Sequence, residues 1–164
     1  MRAARIVLPT YFGAEPMGDP GEALPWSEVE GWLSGTTEWW IVTVGRRWRP
    51  HSVPVDVLWV DGTAVFGAPL WTRRGRNVQS NHEVVLHLPG TESVAILEGS
   101  AEPLMPGPFL ERVLETSKAR YGNSAWPAER LVGTTWCLRP RLVLAWRVGD
   151  MRNTATRWTF EDRV

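Results

Sequence analysis

The chain has 164 residues, a length that suits one domain and buries about two-thirds of its unfolded surface without a disulfide staple. Its 18 basic and 18 acidic residues cancel and form no basic block, which argues against a nucleic-acid partner. The single cysteine, Cys137, excludes an internal disulfide and fits a reducing, cytoplasmic setting; no stretch reads as a secretory signal or a membrane span, so no membrane partner is expected.

Residues 1–24 mix Gly, Pro and acids and read as an irregular leader to a single domain over 1–164. "PWSEVEGWL" (25–33) predicts a short helix, with Ser27 and Glu30 at capping-box spacing and Val29, Trp32 and Leu33 on one face. "EWWIVTV" (38–44) predicts a strand whose adjacent Trp39 and Trp40 point to opposite faces. One of them then needs an outside cover, and Trp59 and Trp71 add to that demand. A second subunit is the simplest cover, and a local helix is the alternative. "HSVPVDVLWV" (51–60), the turn at Asp61-Gly62 and "TAVFGA" (63–68) predict a tight hairpin. "EVVLHL" (83–88) and "SVAILEGSAEPL" (93–104) follow as strands. "PFLERVLETSKARY" (108–121) predicts an amphipathic helix with Phe109, Val113 and Leu114 inward and Glu111, Glu115 and Lys118 solvated. "TTWCLRP", "RLVLAWRV" and "ATRWTF" predict three short C-terminal strands. Seven or eight strands joined by short turns make a mainly β, antiparallel barrel with a few short helices.

The segment "GAPLWTRRGRNVQS" (67–80) is unusual. Thr72 can cap a helix that begins at Arg73, yet a cation in a first helical turn costs roughly 0.3–1 kcal/mol. A bound phosphate would reverse that cost, because it collects free N–H groups, the helix dipole and guanidinium contacts. Gly75 would let backbone approach closely. A solvated basic turn is the alternative.

With these residues in place, "GRRWRPHSVPVDVLWVDG", "TRRGRNV" and "EGSAE" together resemble the pyridoxamine 5′-phosphate oxidase-like superfamily of flavin- and deazaflavin-binding split β-barrels. The likeness covers roughly residues 38–160, and its C-terminal part is similar to the actinobacterial branch. It implies that Thr72, Arg73 and Arg74, with Asn77 in the same segment, grip a cofactor phosphate. Strand 53–57 would lie along the ring: Val53, Val55 and Val57 near it, Pro54 shaping the strand, and Asp56 where a bulky apolar residue is common. The resemblance also implies a homodimer, with Trp158 covering the partner's ring. The implied activity is hydride transfer from coenzyme F-420 to a small unsaturated acceptor. FMN in its place, or a carrier or sensor without turnover, are the alternatives. The chain departs from the family at Arg46-Arg47-Trp48-Arg49-Pro50, where a glycine usually shapes the turn, at Arg74, often lysine, and at Asn81-His82, where Asn-Pro is usual.

No catalytic residue is assigned. His82 and His87, five apart around a strand, are expected on opposite sides, and no Cys or carboxylate cluster completes a metal site. His51 stands beside the expected ring. There is no G-x-S-x-G elbow and no G-x-G-x-x-G after a strand.

Overall fold

The computed structural model describes residues 1–6 and 23–160. Nine strands follow in chain order: β1 (Arg2–Arg5), β2 (Glu38–Val44), β3 (Pro50–Val60), β4 (Thr63–Gly67), β5 (Glu83–His87), β6 (Ser93–Pro103), β7 (Thr135–Leu138), β8 (Leu142–Arg147) and β9 (Thr156–Thr159). The helices are α1 (Trp26–Gly35), α2 (Arg73–Ser80), α3 (Pro108–Tyr121), α4 (Ala128–Leu131) and α5 (Met151–Thr154). No described helix is long and apolar enough to cross a membrane.

All strand pairs are antiparallel. The order β6-β5-β2-β3-β4-β7 closes into a six-stranded barrel because β7 returns to β6. Strands β8, β9 and β1 extend the sheet from the other half of β6. The two longest strands each change partners midway. β3 pairs with β2 through residues 50–56 and with β4 through 57–60. β6 pairs with β8 through 93–98 and with β7 through 101–103. Gly99 stands at that second changeover, where a Cβ would lie 2.8 Å from the Arg139 carbonyl oxygen. The β3–β4 turn has Asp61 and Gly62 both at positive φ, 48° and 74°, the conformation that suits a twisted two-residue hairpin.

Side-chain alternation sorts the core. Trp39 and Ile41 are fully buried inside the barrel while Trp40 faces outward, as their adjacency predicts. Along β3, Val57 and Trp59 face the barrel core. Leu58 and Val60 face the other way, where α3 covers them with Val113, Phe109, Leu110 and Leu114. For Trp59 the local helix is the cover: its ring meets Trp26 at 6.5 Å, and its indole N–H donates to Glu30 Oε1 at 3.4 Å.

Two local expectations are corrected. Arg2–Arg5 is an edge strand on β9, not irregular leader; the rest of that leader through residue 22, apart from Ile6, lies outside the described residues. The capping box on α1 does not form: the helix begins after Pro25 without a side-chain cap. Glu30 reaches Trp59 instead.

Candidate functional site

The first half of β3 has one open edge. The Val57 N–H donates to the Thr37 carbonyl at 2.8 Å, and the β2–β3 register runs from Glu38↔Asp56 to Val44↔Pro50. Backbone groups of successive strand residues point to opposite edges. Val53, Val55 and Val57 therefore direct theirs at β2, and Ser52, Pro54 and Asp56 direct theirs away from it. No described strand pairs with residues 50–56 on that second side. Pro54 fits there because an unpaired edge requires no N–H from it. Val55 and Val57 are buried in the barrel core and Val53 is half-buried against it. The exposed face belongs to Ser52, Pro54 and Asp56.

Beside this edge stands the N-terminus of α2. The Thr72 hydroxyl accepts from the Gly75 N–H at 3.0 Å and donates to the Pro69 carbonyl at 2.6 Å, so the predicted cap forms. Gly75 packs on the preceding loop so tightly that a Cβ would lie 2.1 Å from the Pro69 carbonyl oxygen. The two arginines then differ. Arg74 is half-buried; its Nε donates to the Gly67 carbonyl at 2.8 Å and its Nη1 to the Pro54 carbonyl at 3.5 Å. It clamps the end of β4 to the open edge of β3. Arg73 is exposed and has no side-chain hydrogen bond or ion pair among the described residues. Arg76, which the sequence did not single out, donates to the Trp71 carbonyl at 2.9 Å and so steadies the loop before the cap. Asn77 is 8% exposed and its amide donates to Thr43 Oγ1 at 3.0 Å. It anchors α2 to β2.

The local field is positive. His51, at the start of β3, has its pKa lowered by burial and then by Arg73 and Arg74, so its imidazole is neutral at neutral pH. The Arg74 guanidinium is pushed down by burial while Asp56 opposes that shift. The Asp56 charge also acts on Tyr121, whose phenol is raised first by burial and then by that carboxylate. The Asp56 charge thus acts on both the arginine clamp and the end of α3. No group of three His, Cys, Asp or Glu residues is placed to hold a metal among the described residues. Burial pushes the thiol of half-buried Cys137 up to about 12, which keeps it un-ionised at neutral pH.

Trp158 is 1% exposed, packed edge-on to Trp26 at 5.7 Å within this chain's own core. Its neighbour across β8, Val143, is buried in the same core, so Trp158 serves the packing of this chain. The exposed aromatic next to the Thr72 cap is Trp71, at 75% exposure. Trp40 faces outward and stacks on His87. His82 lies ahead of β5, edge-on to Trp136. In the departing turn, Trp48 takes the glycine-like conformation, φ 57°, and is 82% exposed. A left-handed conformation costs a non-glycine residue about 1–2 kcal/mol.

No family model matches the chain, and no curated protein matches it in sequence. Solved structures match in shape. The FMN-binding protein related to pyridoxamine 5′-phosphate oxidase from Nostoc punctiforme has TM-score 0.57 at 11% identity, over 85% of this chain and 92% of that one. HutZ, a heme storage protein from Vibrio cholerae, has TM-score 0.59 at 14% identity, over 70% and 88%. A heme-binding protein from Mycobacterium smegmatis has TM-score 0.62 at 16% identity; the match covers 76% of this chain and about half, 53%, of that one. The fold is a split β-barrel, similar in shape to that of the pyridoxamine 5′-phosphate oxidase-related protein.

Proposed function

We propose that the protein binds a flavin-type cofactor with a phosphate tail, FMN before others, along the open edge of β3. One observation carries this reading: Arg73, without a side-chain partner among the described residues, stands at a capped helix N-terminus beside a strand edge that no described strand pairs. An anion there gains the first N–H groups of α2, the helix dipole and a free guanidinium. Arg73 would contact the phosphate, while Arg74 holds the Pro54 carbonyl and keeps the edge in place. The backbone of Ser52 and Asp56 would meet the rim of the ring. A bound flavin supplies hydride or electron transfer; the chain binds, orients and shields it.

The FMN-binding neighbour supports FMN. Hydride transfer from coenzyme F-420 to a small-molecule acceptor rests on the sequence resemblance alone, since no residue of the site is specific to a deazaflavin. No acid–base group is dedicated to an acceptor, so a carrier without turnover accounts for the site as well as an oxidoreductase does. The outward Trp40 and the exposed Trp71 favour a second copy of the chain as their cover, making a homodimer.

The test is fluorescence titration of the purified chain with FMN, coenzyme F-420 and hemin, with its mass in solution measured in parallel. Tightest binding of FMN supports the proposal. Tightest binding of coenzyme F-420 replaces the ligand but keeps the site. Binding of hemin alone, or of none of the three, overturns it.

A further inference from the structure

The balanced charge of the whole chain hides a local excess. Between residues 39 and 82 there are six arginines and only two acids, Asp56 and Asp61. Three of those arginines, Arg46, Arg47 and Arg49, form the tip of the β2–β3 hairpin with Trp48 among them. All three are exposed, and none is ion-paired to a carboxylate among the described residues. Trp48 is 82% exposed and buries nothing for the fold. Its backbone is left-handed, φ 57°, a conformation that glycine would take at lower cost. Neither packing among the described residues nor turn geometry calls for a tryptophan here. The tip is also fixed in place. The Trp48 N–H closes the turn on the Gly45 carbonyl at 2.8 Å, and Gly45 sits so near α2 that a Cβ would be 2.6 Å from Asn77 Oδ1.

We infer that this tip docks on an anionic lipid surface, with Trp48 at the headgroup level and Arg46, Arg47 and Arg49 as a cationic collar. Tryptophan favours the membrane–water boundary, and each nearby arginine adds attraction to acidic headgroups. A single aromatic at an apex suits a surface. Stacking on single-stranded nucleic acid uses several aromatics along a groove, which this tip does not present. The expectation of no membrane partner came from the lack of a spanning segment, and a docking tip needs none.

Co-sedimentation of the full chain with phosphatidylcholine vesicles, with and without phosphatidylglycerol, tests this. Binding is expected only to the mixed vesicles, and should weaken with salt. Changing Arg46, Arg47 and Arg49 together to serine should lower affinity on the order of a hundredfold. Trp48→Gly should lower it roughly tenfold while the melting temperature holds or rises. Absent binding to mixed vesicles, equal binding to neutral ones, or full binding by either variant overturns the inference. Displacement from vesicles by a single-stranded oligonucleotide overturns the lipid assignment in favour of nucleic acid. A fall in the melting temperature of Trp48→Gly shows that the side chain serves the fold, and likewise overturns the inference.

Discussion

Replacing Arg73 and Arg74 by alanine, one at a time, separates binding from folding. Arg73 has no side-chain partner among the described residues and is exposed, so its removal should change stability by no more than about 0.5 kcal/mol. It should still weaken FMN. A hydrogen bond to a charged group contributes about 1.5–3 kcal/mol, or roughly a tenfold to 150-fold rise in Kd. Arg74 is half-buried on the Gly67 carbonyl at 2.8 Å, with a longer contact to the Pro54 carbonyl at 3.5 Å. Arg74→Ala leaves one well-made acceptor without its donor, at about 1–2 kcal/mol. For a chain of this size that lowers the melting temperature by roughly 2–8 °C. Fluorescence titration and thermal unfolding on both variants give the two readings. Unchanged FMN affinity in Arg73→Ala, or equal destabilisation by the two substitutions, would refute the division of labour.

The other predictions concern the frame around the site. Gly75→Ala drives a Cβ against the Pro69 and Ala68 carbonyl oxygens, at 2.1 and 2.5 Å, and should cost about 3 kcal/mol or more in denaturant unfolding; a wild-type midpoint would contradict the packing. Trp158→Ala empties the core beside Trp26 and should cost about 3–5 kcal/mol, whereas normal stability with weakened cofactor binding would support its role as a ring cover. His51 has a lowered pKa in the folded chain, so the unfolded chain binds more protons as pH falls below the ordinary histidine range. Its contribution to stability is present at neutral pH and is lost as pH falls from about 6.5 through the lower folded value. His51→Gln should flatten that part of the stability–pH curve, and an unchanged slope would dismiss the effect. Cys137, pushed up to about 12, should react far more slowly with a thiol reagent in the native chain than in denaturant.

Local patterns carried much of the architecture. The Asp61-Gly62 pair announced its hairpin because positive φ at both positions favours those residues. The α3 face was legible from its 3.6-residue period, and the opposed faces of Trp39 and Trp40 from strand alternation. Thr72 and Gly75 were legible because a cap and a close approach are local chemistry. What failed depended on distant partners. Arg2–Arg5 has no strand pattern of its own and is held by β9, more than 150 residues on. The burial of Trp158 was not legible because its neighbours in sequence do not reveal which face of β9 meets the core, and only the resemblance gave it a role. The different duties of Arg73 and Arg74 depend on where the carbonyls of Gly67 and Pro54 fall, and Asn77 needs Thr43 from another strand.

The changeover along β3 bears on how firmly a ligand can be held. Residues 50–56 present the open edge, but the same strand continues into residues 57–60, where it is covered on both faces and paired with β4. The binding edge is thus the free end of a beam whose other end is built into the wall. Arg74 props it from the side. A ligand docking there meets backbone that is already straight and aimed. Little ordering entropy is then lost on association, and affinity reflects the contacts themselves. Loosening residues 57–60 should therefore weaken binding from a distance, through a wider sway of Ser52 and Pro54.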